Sequence, residues 1–167
     1  IFFGLGVGLL TLNVLGLVLP LRSPLLDSEH SPIPPDEKST ATAADVIRAA
    51  NADVSRSALL RNLTGELHNY IVHVWPDDPE TAAAVHAHVP ARENYLLWLA
   101  GHLYADYSRY EFTDGERGLR RGVGLCSQQV IILVHLLAER GIPARLQRLG
   151  GHVVATAAID ESHWWTL

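Results

Sequence analysis

Methionine is absent from the 167 residues, and cysteine occurs once, at Cys126. A single cysteine excludes an intrachain disulfide. Lysine is almost as scarce: of 13 basic residues only Lys38 is a lysine, and the net charge is −5. The basic residues are scattered, so there is no electropositive footprint and nucleic acid is not an expected partner. Arginine in place of lysine, with abundant alanine, points to a GC-rich bacterial coding bias. Under such a bias the Asn62-Leu63-Thr64 sequon is a chance match. No internal repeat is visible, and a chain without methionine reads as one that begins inside a longer protein.

Long apolar runs are present. Residues 1–19 are interrupted by only Thr11 and Asn13, and the first charge is Arg22. As a helix this stretch would span ~28 Å, close to the ~30 Å hydrocarbon core of a bilayer. A secretory signal would show a basic start and a small-residue cleavage site, and neither is visible. The reading preferred over a signal sequence or a buried core helix is therefore a transmembrane helix over 1–19. Gly4, Gly6, Gly8 and Gly16 would let helices approach closely. They are not a dinucleotide fingerprint, because the strand–turn–helix context is missing. Pro20, Pro24, Pro32, Pro34 and Pro35 mark 20–40 as an extended linker. Its mostly acidic charge suits a translocated flank. Residues 41–167 suit one domain with a real core.

That domain is expected to be α+β, with a helical part over 41–106 and a Cys/His core over 107–167. Ala43–Ala52 reads as a short helix. Leu60, Leu63, Leu67, Ile71 and Val74 keep helical spacing until Pro76. Pro79–His88 is a weaker helical segment, and Pro90 opens a helix to about Ala105 with Leu96, Leu99 and Leu103 on one face. Tyr107–Phe112 reads as extended and Thr113–Gly124 as a loop. Val130–Leu137 is apolar on every side, as a helix buried by its neighbours would be. Gly141 and Pro143 end it. Ala144–Leu149, His152–Ile159 and His163–Leu167 read as strands, so a Cys-bearing buried helix should pack on an antiparallel sheet.

Cys126 lies in Gly122-Val123-Gly124-Leu125-Cys126-Ser127-Gln128, at the start of that buried helix. His152 opens a strand in Gly150-Gly151-His152-Val153-Val154. Most lone cysteines are small buried hydrophobes. A thiol at a helix N-terminus with a histidine on a neighbouring strand is a different arrangement, and it is how cysteine nucleophiles are built. A free thiol of pKa ~8.5 is only a few per cent ionised near neutrality, and the positive end of a helix dipole favours the thiolate. The flanking glycines would let a substrate backbone come close to the sulfur.

Four pieces in order carry a resemblance: Arg121-Gly122-Val123-Gly124-Leu125-Cys126-Ser127-Gln128, Gly141-Ile142-Pro143-Ala144-Arg145, Gly151-His152-Val153-Val154 and Trp164-Trp165-Thr166-Leu167. From about Tyr107 to Leu167 the chain resembles the core of the transglutaminase-like superfamily of papain-type cysteine enzymes, as a bacterial, membrane-anchored member. The resemblance implies Cys126 as nucleophile, His152 as acid–base partner and an Asp just after a stretch like Trp164–Leu167. The sequence stops at Leu167, so the third triad member is expected to be cut off. If Asp160-Glu161-Ser162 is a three-residue hairpin loop, Ile159 faces His163 and the position after Leu167 faces Val154. That position shares a sheet face with His152, as a diagonal neighbour within side-chain reach. A two-residue loop would point it away. In the three-residue register His163 lies on the opposite face, whereas Trp164 shares the His152 face, as a wall of the site or as ordinary packing. Asp160 reads as a surface aspartate favouring the bend.

The remaining histidines do not form a convincing metal site. His86 and His88 would occupy different helix faces, and no acidic or cysteine pair joins them or His68, His73 and His102 in a four-ligand set. No cofactor is implied. His135 reads as a hydrogen-bonded core histidine. Tyr107 and Tyr110 are either cleft-lining or half-buried strand aromatics. The function expected is a thiol-dependent hydrolase or acyltransferase acting on amide bonds of a peptide or an envelope polymer. It would be membrane-anchored, with its catalytic domain periplasmic or extracellular. The alternatives are a non-catalytic scaffold of the same fold, binding an envelope protein or polysaccharide, and a structural domain of a multi-pass membrane protein.

Overall fold

Leucines at helical spacing organise the first half of the domain. The computed structural model describes residues 2–74, 79–87, 90–92, 94–104 and 112–167. Helix α1 is Phe2–Val18, α2 is Ala43–Ala50 and α3 is Arg56–Tyr70. A capping box closes the start of α2, with Thr42 and Asp45 each bonding the other's backbone. Ser55 caps α3, which buries Leu59, Leu60, Leu63 and Leu67. The helical spacing does not run on to Val74. After Ile71 the chain turns extended, and strand β1 (Val72–His73) pairs in parallel with β2 (Val123–Gly124).

Helices α4 (Pro79–Ala84) and α5 (Tyr95–Leu103) follow. The latter starts at the Asn94 cap, whose Oδ1 accepts from the Leu97 N–H at 2.9 Å, and not at Pro90. The face that carries Leu96, Leu99 and Leu103 is on the outside, and all three are exposed. The presumed loop over Thr113–Gly124 contains a helix, α6 (Gly115–Arg121), capped by Asp114. A side chain on Gly115 would run into His135, and one on Gly118 into Gln128. These glycines therefore serve close helix packing, which in sequence looks the same as a turn.

Helix α7 (Cys126–Glu139) is the centre of the core, burying Gln128, Val130, Ile132, Leu133, Leu136 and Leu137. It packs against α3, α6 and a three-stranded antiparallel sheet of β3 (Ala144–Leu149), β4 (His152–Ala158) and β5 (Trp164–Thr166), in that order. Ala155 and Ala157 of β4 are fully buried in the cluster built on α3 and α7. Among the described residues the architecture is α+β, with seven α-helices and two small sheets.

Two N-terminal expectations are corrected. Helix α1 has 17 residues, and its end at Val18 precedes Pro20, which disfavours helix at the residue before it. At 1.5 Å per residue that is ~25 Å, short of the ~30 Å hydrocarbon core. Among the described residues no helix is long and apolar enough to cross a membrane. The transmembrane helix over 1–19, the membrane as partner, and the membrane-anchored periplasmic or extracellular placement lose their basis. The second correction concerns residues 20–40, which pack against the domain. Leu21, Leu26 and Ile33 are buried, the latter two with Val72, Val85 and Val123.

Candidate functional site

Cys126 is the first residue of α7, and the preceding Leu125 is extended, with its carbonyl accepting from the Gln128 N–H at 3.0 Å. The approach to it is fixed at Gly122, which closes α6 at φ 69°. A side chain there would collide with Arg22 and Tyr70, so only glycine suits both the backbone and the space. The Tyr70 hydroxyl donates to the Leu119 carbonyl at 2.8 Å, and Arg22 Nη1 donates to the Gly122 carbonyl at 3.3 Å. The short strand β2 then delivers Leu125 and Cys126.

His152 opens β4 directly after the turn at Gly150, whose φ is 59°. Cys126 and His152 line one cavity of about 340 Å³. Helix α7 contributes Cys126, Gln129, Val130 and Leu133, which stand at i, i+3, i+4 and i+7 on one face. Thr64, Leu67 and His68 come from α3, His73 from β1, and Val153, Val154 and Leu167 complete the wall. The thiol is half-buried and His152 is exposed. The two side chains share no hydrogen bond in this arrangement.

Register decides what lies beside the imidazole. Ala158 pairs with Trp164, Ala157 with Trp165 and Thr156 with Thr166, while the Leu167 N–H donates to the Ala155 carbonyl at 2.8 Å. This is the three-residue-loop register, in which the next position along β5 faces Val154. Along β4, Val153, Ala155 and Ala157 pack toward the core, and His152 alternates with them onto the face shared by Val154 and Thr156.

Asp160 occupies the turn. Its Oδ1 accepts from the Ser162 and His163 backbone N–H groups, each at 2.9 Å, and meets His163 Nδ1 at 2.8 Å. These bonds, the Ser162 N–H first, hold its carboxyl down at about 2. It is the bend-forming aspartate, paired with His163 outside the cavity. Trp164 lies against Arg145, whose guanidinium is 4.9 Å from the ring centroid, and it does not line the cavity. His135 is not a core histidine. It is half-buried and faces Glu139 at 3.6 Å.

Sequence reasoning placed Cys126 and His152 but missed His68, His73 and Gln129 as cavity neighbours. The Gln129 signal was its helical spacing from Cys126. His73 had none, because its place depends on the β1–β2 pairing that sets it opposite Gly124. His86 sits in a turn after α4 at φ 58°, and His88, Tyr107 and Tyr110 lie outside the described residues. Among the described residues no group of three or more His, Cys, Asp or Glu side chains is arranged to hold a metal ion.

No family model, no curated protein and no solved structure matches the chain.

Proposed function

We propose that this protein is a thiol-dependent hydrolase or acyltransferase acting on amide bonds, of transglutaminase-like type. The observation that carries the reading is one cavity with Cys126 at a helix N-terminus on one wall and His152 at a strand start on another. The four sequence pieces around Cys126, Gly141, His152 and Trp164 support it by their order and spacing.

In this reading the Cys126 sulfur attacks the amide carbonyl carbon, and His152 takes up the thiol proton. The helix-start N–H of Cys126 stabilises the tetrahedral oxyanion. The C–N bond breaks as His152 protonates the leaving amine, leaving a thioester. Water then attacks the thioester and restores the thiol, releasing an acid. An amine in place of water gives transfer.

The test is alkylation by iodoacetamide at about pH 6.5 and about pH 9. An ordinary thiol reacts roughly two orders of magnitude more slowly at the lower pH. A His152-activated Cys126 should lose less than about fivefold, and the His152→Ala variant should return to the ordinary ratio. An ordinary ratio in the unsubstituted protein would favour a non-catalytic scaffold.

A further inference from the structure

A second cavity of about 320 Å³ shares His68, His73 and Gln129 with the one that holds Cys126. Its other walls include Asp36, Glu37, Lys38, Thr40 and Asn69. The segment supplying four of these is tied down: Ser39 Oγ donates to the Tyr70 carbonyl at 2.6 Å and the Thr40 N–H to the Asn69 carbonyl at 2.9 Å. Lys38 Nζ donates to the Ser28 carbonyl at 3.1 Å. The wall is therefore fixed to the end of α3. Each cavity is of the size that small-ligand sites occupy, about 300 Å³ or more.

The two differ in chemistry. Beside Cys126 the walls are largely aliphatic, from Leu67, Val130, Leu133 and Val154. Across the shared histidines they carry carboxylates, an ammonium and an amide. Among the described lining residues neither cavity has a tryptophan, tyrosine or phenylalanine, the flat faces on which sugar rings usually stack. A peptide suits both halves. It offers an apolar side chain to the first cavity, and backbone donors and acceptors with charged side chains to the second.

We infer that the second cavity is a subsite of the Cys126 cleft, taking the polar flank of an extended peptide that runs past His68, His73 and Gln129. The assignment rests on the reading of Cys126 as the reacting group, but its test does not need catalysis. The probes are iodoacetamide, iodoacetyl-leucyl-seryl-lysine amide, and an iodoacetylated disaccharide, each used to alkylate the full chain at low concentration.

The peptide reagent should label Cys126 at least about tenfold faster than iodoacetamide. Thr40→Trp, which fills the second cavity, and Glu37→Lys, an exposed change that leaves the core alone, should each abolish that advantage. Both should leave the iodoacetamide rate within about twofold. Equal rates for the two reagents, an advantage surviving both substitutions, or a larger one for the disaccharide would overturn the subsite. Repeating the series in His152→Ala separates the two claims. A peptide advantage retained there, beside an ordinary iodoacetamide pH ratio in the unsubstituted protein, keeps the subsite and removes the enzyme.

Discussion

The Arg22 guanidinium joins the N-terminal segment to the loop that delivers Cys126, bonding the Gly122 carbonyl while it pairs with Asp27 at 2.7 Å and lies 5.1 Å from the Tyr70 ring centroid. One side chain thus ties residues 20–40, the end of α3 and the start of the loop that leads to Cys126. Arg22→Ala should cost about 1–3 kcal/mol, because it also strips the Gly122 carbonyl of a charged donor. Arg22→Lys should recover only part of this, since an ammonium lacks the planar fork that meets Asp27 twice. Urea denaturation of both variants checks the order. Equal stability of the alanine variant and the parent would mean the segment is not held by this residue.

Gly122→Ala tests the other side of that contact. The backbone is left-handed there, and a methyl group would meet Arg22 and Tyr70. A loss of about 1–3 kcal/mol is expected from the backbone alone, and more with the clash. The variant should also alkylate differently at Cys126, because the loop has to shift. A denaturation midpoint unchanged from the parent would contradict the geometry.

How much of this was legible in sequence depends on whether the signal was local. The buried helix after Cys126 and a turn at Asp160 were readable, because apolar periodicity and turn chemistry act over a few residues, whereas the choice between a two- and a three-residue loop was not. Helix α6 was hidden by Gly115 and Gly118, whose role is contact with His135 and Gln128 rather than bending. The Leu96, Leu99 and Leu103 stripe was readable as one helix face, but its exposure was not, since periodicity reports a face and not what covers it. The Cys126 cavity was half legible. His152 is placed by the nearby hairpin, whereas His73 reaches it only through a two-residue parallel pairing with a distant segment.

That contrast gives a packing prediction. Leu137 is fully buried in the α7 core, so Leu137→Ala should cost about 2–5 kcal/mol. Leu99 is half exposed on α5, and Leu99→Ala should stay within about 0.5 kcal/mol. Thermal or urea unfolding of the pair checks it. A large loss at Leu99 would mean that face is covered in solution.

Acid stability should carry the mark of Asp160. Its carboxyl titrates at about 2 in the folded chain against an ordinary 3.8, held down by Ser162 and His163. A carboxyl with a depressed folded value lends stability that is present above about pH 3.8 and lost as pH falls through about 2. Asp27 acts in the same sense, lowered by its bond to Arg22. Asp160→Asn should therefore be less stable than the parent near neutrality, and the two should converge below about pH 2. Urea midpoints measured from neutrality down to acid would show the convergence. Parallel curves would mean that the turn bonds do not discriminate the charged form.

The β4–β5 register makes the sharpest test of the imidazole's surroundings. Because Leu167 bonds Ala155, a residue added after it falls opposite Val154, on the face that carries His152. Diagonal neighbours on one face of an antiparallel pair are ~7–8 Å apart at the backbone, within reach of a carboxylate and an imidazole. A chain carrying one aspartate after Leu167 should raise the alkylation rate of Cys126 at about pH 6.5 by threefold or more over a chain carrying one alanine there. An asparagine should fall between them, since it orients the ring without stabilising its charge. The His152→Ala background should erase all three differences. If aspartate and alanine behave alike while the hairpin register is intact by amide exchange, the imidazole is turned away from β5.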